Sequence, residues 1–424
     1  MINTDKKPLI GFFPGFFDIG ETYPLIKIAN RYQEIGGKVS IFSHGGQYEY
    51  LAKEQGFKII RMKPIARGPD ITRYFMKKSD EDIVKMIKNQ ALVYQKSGIK
   101  ALVQTSSYLD CLLAPFVAKV PLISIISGTL APPYNQANYA TYPDNFENYY
   151  TKLVPQFVKN RINNWYTLNY KGPIVKKFNR IAKKTNIKTR FRCFQDLILG
   201  DHTFLCDDMT FLGLKPTNNF PAKNYIGPIL SDDLFDTKLK KEDYEIENHL
   251  KRSGESILLT MGGSSRMKDI FLEILKILNQ TNYNVIATYT SILNNEELPK
   301  LNKNILMKKF IPFMAKLNKR VDLAIIHGGR GTVYNAAYSG KPAIGIPLNS
   351  EQQYNLDSLV RHGMAIRLSK TFFKKDKLLN ALNEIFNNYD IYLKNAQALT
   401  QKLPKPQGDK NAARRIIEIT TKNI

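Results

Sequence analysis

Short apolar runs alternate along this chain with longer stretches of helical periodicity, and that alternation limits the fold more than any other feature. Residues 9–13 read as a strand, and 24–35 as a helix with Leu25, Ile28, Ala29 and Tyr32 on one side. A strand at 39–42, a helix at 47–55 and strands at 58–60, 101–103 and 122–126 continue the rhythm. It loosens between about 131 and 220, where aromatic and basic residues dominate, and restarts after Gly227-Pro228. There the spacing predicts strands at 256–261, 285–289, 323–327 and 343–346, with helices at 269–279, 333–339 and 352–362. Buried strands alternating with helices mean parallel sheets covered on both faces. The expected fold is therefore α/β, with two Rossmann-like domains facing each other across a cleft. The boundaries fall at 1–229, a linker at 230–243 rich in Asp and Lys, 244–403, and a last helix in 404–424 that returns to the first domain. Ligands of such sheets sit beyond the carboxyl ends of the strands, so the informative residues should follow strands.

At 424 residues the chain has room for two cores, and 43% of its residues are hydrophobic. Its formal charge of +25 predicts attraction to something anionic: a phosphorylated substrate, nucleic acid or an acidic membrane. Cys111, Cys193 and Cys206 lack metal-ligand spacing and read as free thiols of a reducing compartment. The apolar stretch 101–131 is broken by Gln104, Asp110, Lys119 and two prolines, so it is no membrane span. The N-terminal apolar run contains Pro8, Pro14 and Gly15 and reads as a first strand rather than a leader. The expected location is cytoplasmic, free or peripheral on the membrane.

Between 327 and 355 the sequence runs His327-Gly-Gly-Arg-Gly-Thr332, then Asn335, Gly340-Lys-Pro342, Pro347 and Glu351-Gln352-Gln353-Tyr-Asn355. A strand enters a glycine-rich turn that opens a helix, whose free N–H groups and partial positive charge suit a diphosphate. Taken alone, the glycines also fit a tight turn with no ligand. The whole segment closely resembles the nucleotide-sugar signature of the family 1, UDP-glycosyltransferase type, enzymes. That resemblance implies a metal-independent, inverting transfer of a hexose from a nucleoside-diphosphate sugar. His327, Gly329, Thr332 and Ser264 would hold the diphosphate, Glu351 and Gln352 the sugar hydroxyls, and Phe310 the nucleobase. One position departs from the pattern. Asn335 stands where the family has a ribose-binding glutamate, which keeps dTDP open beside UDP.

An inverting transferase needs a base for the acceptor hydroxyl. The family places His in a Gly-His-x-x-Pro turn after the first strand; here the turn is Gly20-Glu21-Thr22-Tyr23-Pro24. Sterol and glycopeptide-antibiotic glycosyltransferases resemble it in carrying a carboxylate there, so Glu21 is the candidate base. Its bland alternative is a first-turn glutamate that complements a helix dipole. The partner Asp of His-type members is absent from 101–107, consistent with a carboxylate base, and Asp110 falls too late. His44 reads as a turn residue that could line the cleft. The pairs Asp207-Asp208 and Asp232-Asp233 read as solvated turns, and with no Asp-x-Asp motif no metal or other cofactor is expected.

From Asn148 to Gln195 there is no Asp or Glu but twelve Lys or Arg, interleaved with Tyr149, Tyr150, Phe157, Trp165, Tyr166, Tyr170, Phe178 and Phe191. Such a segment suits an anionic bilayer, and with it a lipid acceptor beside small-molecule ones. The alternative is that the aromatics form core and the lysines are merely solvated. Nucleic acid is not an expected partner, since no nucleic-acid module is visible. Two other functions remain open at this point: a non-transferase of the same fold, such as a sugar-nucleotide epimerase, and an inactive nucleotide-sugar-binding protein.

Overall fold

The computed structural model describes the chain except residues 1–6, 64–74, 106–111, 189, 231–243, 263–266, 290–291, 295–296 and 422–424. Two six-stranded sheets make up its frame. The first contains β1 (Leu9–Phe13), β2 (Lys38–Ser43), β3 (Ile59–Arg61), β4 (Ala101–Thr105), β5 (Leu122–Ile126) and β6 (His202–Leu205), ordered β3-β2-β1-β4-β5-β6. The second contains β7 (Ser256–Thr260), β8 (Asn284–Thr288), β9 (Ile305–Lys308), β10 (Leu323–Ile326), β11 (Ala343–Gly345) and β12 (Ala365–Arg367). Its order, β12-β11-β10-β7-β8-β9, is the same topology read from the other edge. Every strand pairing is parallel. Central strands such as β4, β5 and β8 are buried along their whole length, because helices cover both faces.

Seven helices position the site: α1 (Ile19–Glu34), α2 (Tyr149–Lys152), α3 (Gln156–Asn169), α4 (Pro173–Lys184), α5 (Arg330–Ser339), α6 (Ser350–Arg361) and α7 (Gly408–Thr421). The first begins five residues earlier than its apolar periodicity suggests. Asp18 caps it by accepting the Gly20 N–H at 2.7 Å, and Pro24 lies inside it. Glu21 therefore sits on the first helical turn and not in a turn ahead of the helix. On one face of the first sheet α1 packs with α7 around Leu25, Ile28, Tyr32, Ala412 and Ile416. Arg31 Nε reaches Asp409 Oδ2 at 2.9 Å, and Asn411 Nδ2 donates to the Ile226 carbonyl, tying the chain's last helix to the first domain. On the other face, the helix Asp80–Ser97 and α4 enclose Phe42, Tyr94, Val175 and Phe178.

The two domains meet along α5 and α6. One shared cluster holds Tyr134, Phe211 and Leu212 of the first domain with Val333, Tyr334, Leu356 and Leu359 of the second. Polar contacts frame it. Tyr134 Oη donates to the Tyr354 carbonyl at 3.0 Å, Gln353 Nε2 to Thr141 Oγ1 at 2.7 Å, and Arg367 Nη1 to Asp144 Oδ2 at 2.6 Å.

Candidate active site

The turn after β10 carries the predicted diphosphate residues. The His327 ring is wedged between two glycines: a Cβ on Gly262 or Gly329 would lie 2.5 or 2.4 Å from its Nε2. Any larger residue at either place would push the ring away. Burial holds the His327 pKa down at about 4, against a backbone contact with Thr260 that raises it. The imidazole is therefore neutral at ordinary pH, and its buried Nδ1 has no hydrogen-bond partner among the described residues. Helix α5 starts at once behind it. Its N-cap is Gly329, which offers no side chain to cap the first-turn N–H groups. Thr332 Oγ1 donates to the Gly329 carbonyl at 2.8 Å, so its hydroxyl braces the turn. Asn335 follows one turn later, buried, its Oδ1 likewise without a partner among the described residues.

Opposite this turn stands the first turn of α1. A Cβ on Gly331 would come 3.0 Å from Tyr23 Oη, so the two helix starts nearly touch. Charges from both domains converge at the junction. Glu351, on the first turn of α6, has its carboxyl pushed up to about 7 by burial. The negative charges of Glu21, Asp207 and Asp18 add to the shift, and Arg330 opposes it. Burial works against the Arg330 charge, but Cys206, Tyr23, Asp207 and Glu21 more than offset it, raising the guanidinium above its ordinary range. One arginine on the second domain thus faces carboxylates from both.

Asp207 is not a solvated turn residue. It is buried just after β6, accepts the Gly128 N–H at 2.6 Å, and its carboxyl is pushed up by burial. Asp208 caps the short helix Met209–Leu212, and its N–H reaches Tyr334 Oη at 2.8 Å. Packing against the Ser127-Gly128 turn that follows β5 buries Asp207, which overrides the polarity of the pair. His44 is likewise no cleft residue: it is buried against Phe13 and 3.3 Å from Gln90 Nε2, with its pKa lowered to about 4 by burial. Cys193 and Cys206 are free and buried. Ser264, Asp110, Cys111 and the pair Asp232-Asp233 lie outside the described residues.

A profile of the glycosyltransferase family 28 C-terminal domain matches residues 257–415. UDP-glucuronosyltransferase 2B15 of Rattus norvegicus is 29% identical over 157 residues, 37% of this chain and 29% of that protein. The UDP-N-acetylglucosamine–N-acetylmuramyl-(pentapeptide) pyrophosphoryl-undecaprenol N-acetylglucosamine transferase of Prochlorococcus marinus subsp. pastoris is 30% identical over 187 residues, 41% of this chain and 50% of that one. The chain thus spans no more than half the length of these two relatives. The crystal structure of CalG4, the calicheamicin glycosyltransferase, superposes with a TM-score of 0.69 at 12% identity, covering 99% of this chain and 100% of that one. The chain has the GT-B fold of that structure, and its residues 257–415 match the glycosyltransferase family 28 C-terminal domain.

In this GT-B cleft the remaining predicted residues are distributed unevenly. Gln352 lies beside Glu351 at the start of α6, its Oε1 accepting the Leu348 N–H at 2.7 Å and its own N–H capped by Asn349. Phe310 follows β9 with about half its surface exposed. Three participants carried no assigned role in the sequence: Arg330, Asp207 and Asn355. Asn355 is buried and joins the domains, its Oδ1 accepting from Thr129 Oγ1 at 2.8 Å while its Nδ2 donates to the Gly328 carbonyl at 3.1 Å. The signal for Arg330 was its place as first residue of the glycine-opened helix. Asp207 had only its position after an apolar run.

Proposed function

We propose that the chain is an inverting glycosyltransferase that moves a hexose from a nucleoside-diphosphate sugar to a hydroxyl acceptor, with Glu21 as general base. The observation that carries this reading is the uncapped start of α5, with the orphan Nδ1 of His327 and Oδ1 of Asn335, facing the carboxylate-bearing first turn of α1. The acceptor oxygen bonds to the anomeric carbon as the carbon–oxygen bond to the diphosphate breaks. The electron pair leaves with the diphosphate, and the hydroxyl proton passes to the Glu21 carboxylate. The α5 N–H groups, His327, Gly329, Thr332 and Ser264 receive the diphosphate, and Arg330 adds charge that a metal would otherwise supply. Asn335 takes a ribose hydroxyl and Phe310 stacks on the base. Glu351 and Gln352 bind the sugar: a carboxyl near neutrality can accept or donate, and Gln352 keeps its amide N–H groups for a ligand oxygen.

UDP is the preferred carrier, since the relatives' names specify UDP donors; dTDP comes second because a neutral Asn335 grips a ribose less firmly than a glutamate. The acceptor is a lipid, or a hydroxyl compound presented at a membrane, and the enzyme works peripherally on the cytoplasmic face. Among the described residues no helix is long and apolar enough to cross a membrane. A thermal-shift panel of UDP-, dTDP- and GDP-sugars tests the donor half. A sugar nucleotide at a hundred times its Kd should stabilise the fold by about 2.7 kcal/mol. No shift with any of the three would overturn the reading.

A further inference from the structure

Helix α3 is packed with its faces reversed. A surface helix ordinarily buries an apolar stripe and shows polar residues to water. Here the polar residues turn inward. Asn160 Oδ1 accepts the Tyr142 N–H at 2.8 Å, Asn164 Nδ2 donates to the Ala140 carbonyl at 2.8 Å, and Asn163 Nδ2 donates to Tyr354 Oη at 3.2 Å. The apolar residues face out: Phe157 is 72% exposed and Trp165 64%, while Tyr149 and Tyr150 on α2 are 76% and 78% exposed. Several of the segment's cations are engaged within the protein: Lys159 in a buried pair with Glu147, Lys177 against the Met76 and Lys78 carbonyls, Arg180 and Lys184 with Asp80, and Lys152 over the Phe372 ring. Arg161, four residues from both Phe157 and Trp165, shares their face and is exposed, as is Lys171 just beyond the end of α3.

We infer that α2 and α3 form a membrane-docking face that seats Tyr149, Tyr150, Phe157 and Trp165 in the headgroup–acyl boundary of an anionic bilayer. Contiguous exposed aromatic surface marks an interaction site, and rings with a polar edge suit that boundary. Basic residues among them, in a stretch without a single carboxylate, match lipid phosphates. The same uniform sign argues against a second copy, because a two-fold contact would set cation against cation. The face also lies near the cleft. Asn163, on the inner side of α3, touches Tyr354, which follows Glu351 by less than one turn on α6. The exposed face and the helix that carries Glu351 are thus joined through one side-chain contact. The inference deepens the membrane-presented acceptor proposed above, but its test uses neither donor nor transfer.

Trp165 is the only tryptophan of the chain, so its fluorescence reports this face alone. The full-length protein is titrated with vesicles of phosphatidylcholine containing phosphatidylglycerol, or of phosphatidylcholine alone. The expected result is a blue shift and quenching by brominated acyl chains with the anionic vesicles, much weaker with neutral ones. Phe157→Ser with Tyr150→Ser should lower the partition coefficient tenfold or more. Arg161→Glu and Lys171→Glu should each lower it at least about fivefold. Circular dichroism and melting of these surface variants should match the parent chain. Absence of any shift or flotation with anionic vesicles overturns the inference. So does a blue shift that depends on protein concentration without lipid, which would assign the face to a second copy.

Discussion

The two sheets share one strand order and differ most at the same topological slot. After the fifth strand of the second domain, β11, the chain reaches α6 at Ser350 by a short loop, and the Glu351 carboxyl stands on its first turn. After the fifth strand of the first domain, β5, residues 127–201 intervene before β6, and they include α2, α3 and α4. A short return keeps the strand ends bare, so helix starts and turns face the cleft. A long return covers the strand ends and builds an outward surface instead. The same scaffold thus gives one domain helix starts at the cleft and the other an exposed aromatic face beyond its fifth strand.

The sharpest way to break that division is Glu21→Gln. If the first domain supplies the base, transfer should fall on the order of 10²–10⁴-fold while donor-linked thermal stabilisation persists. Unchanged transfer would remove Glu21 from the chemistry. Gly329→Ala tests the donor side. The added methyl meets His327 at 2.4 Å, so the ring or turn must shift, with a cost of about 1–3 kcal/mol in stability and loss of the sugar-nucleotide shift. Full donor binding by this variant would sink the assignment of the turn.

Asn355→Ala removes the amide that joins the Gly328 turn to Thr129. Chemical denaturation should show a loss of about 1–3 kcal/mol and less coupled unfolding of the two domains. Glu351 gives a smaller effect that depends on pH. Its folded-state pKa of about 7 lies above the ordinary 4.5, so the folded chain binds the extra proton between those values. The stability it contributes is full below about pH 4.5 and is lost as pH rises through 7. Glu351→Gln should flatten that decline by about 1–2 kcal/mol, allowing for partial exposure and screening. Melting at pH 5 and pH 8 decides it: equal slopes in parent and variant would exclude a raised carboxyl.

Much of the candidate site's local geometry was legible because its signals are local. Glycines at a strand-to-helix turn, a histidine before them and a carboxyl–amide pair opening the next helix lie within about thirty residues. Strand positions such as 9–13 and 122–126 were legible because fully buried parallel strands are plain apolar runs. The start of α1 was misplaced because its signal is a cap, Asp18, followed by a turn with little apolar character and an internal proline that reads as a boundary. Asp207 was misread because adjacent aspartates look solvated in any short window.

By itself the sequence determined two parallel-sheet domains, the glycine-opened helix with its histidine, and the presence of a carboxylate after the first strand. These follow from residue period, turn chemistry and caps, which act over a few residues. Only the tertiary structure decided that Glu21, Asp207, Arg330 and Glu351 act on one another, that Asn355 joins the domains, and that α3 turns its aromatic side to solvent. Those outcomes depend on partners more than a hundred residues away, and on which face of a helix finds polar backbone to satisfy. Composition records that a segment is aromatic and basic; packing chooses which of those residues meet water.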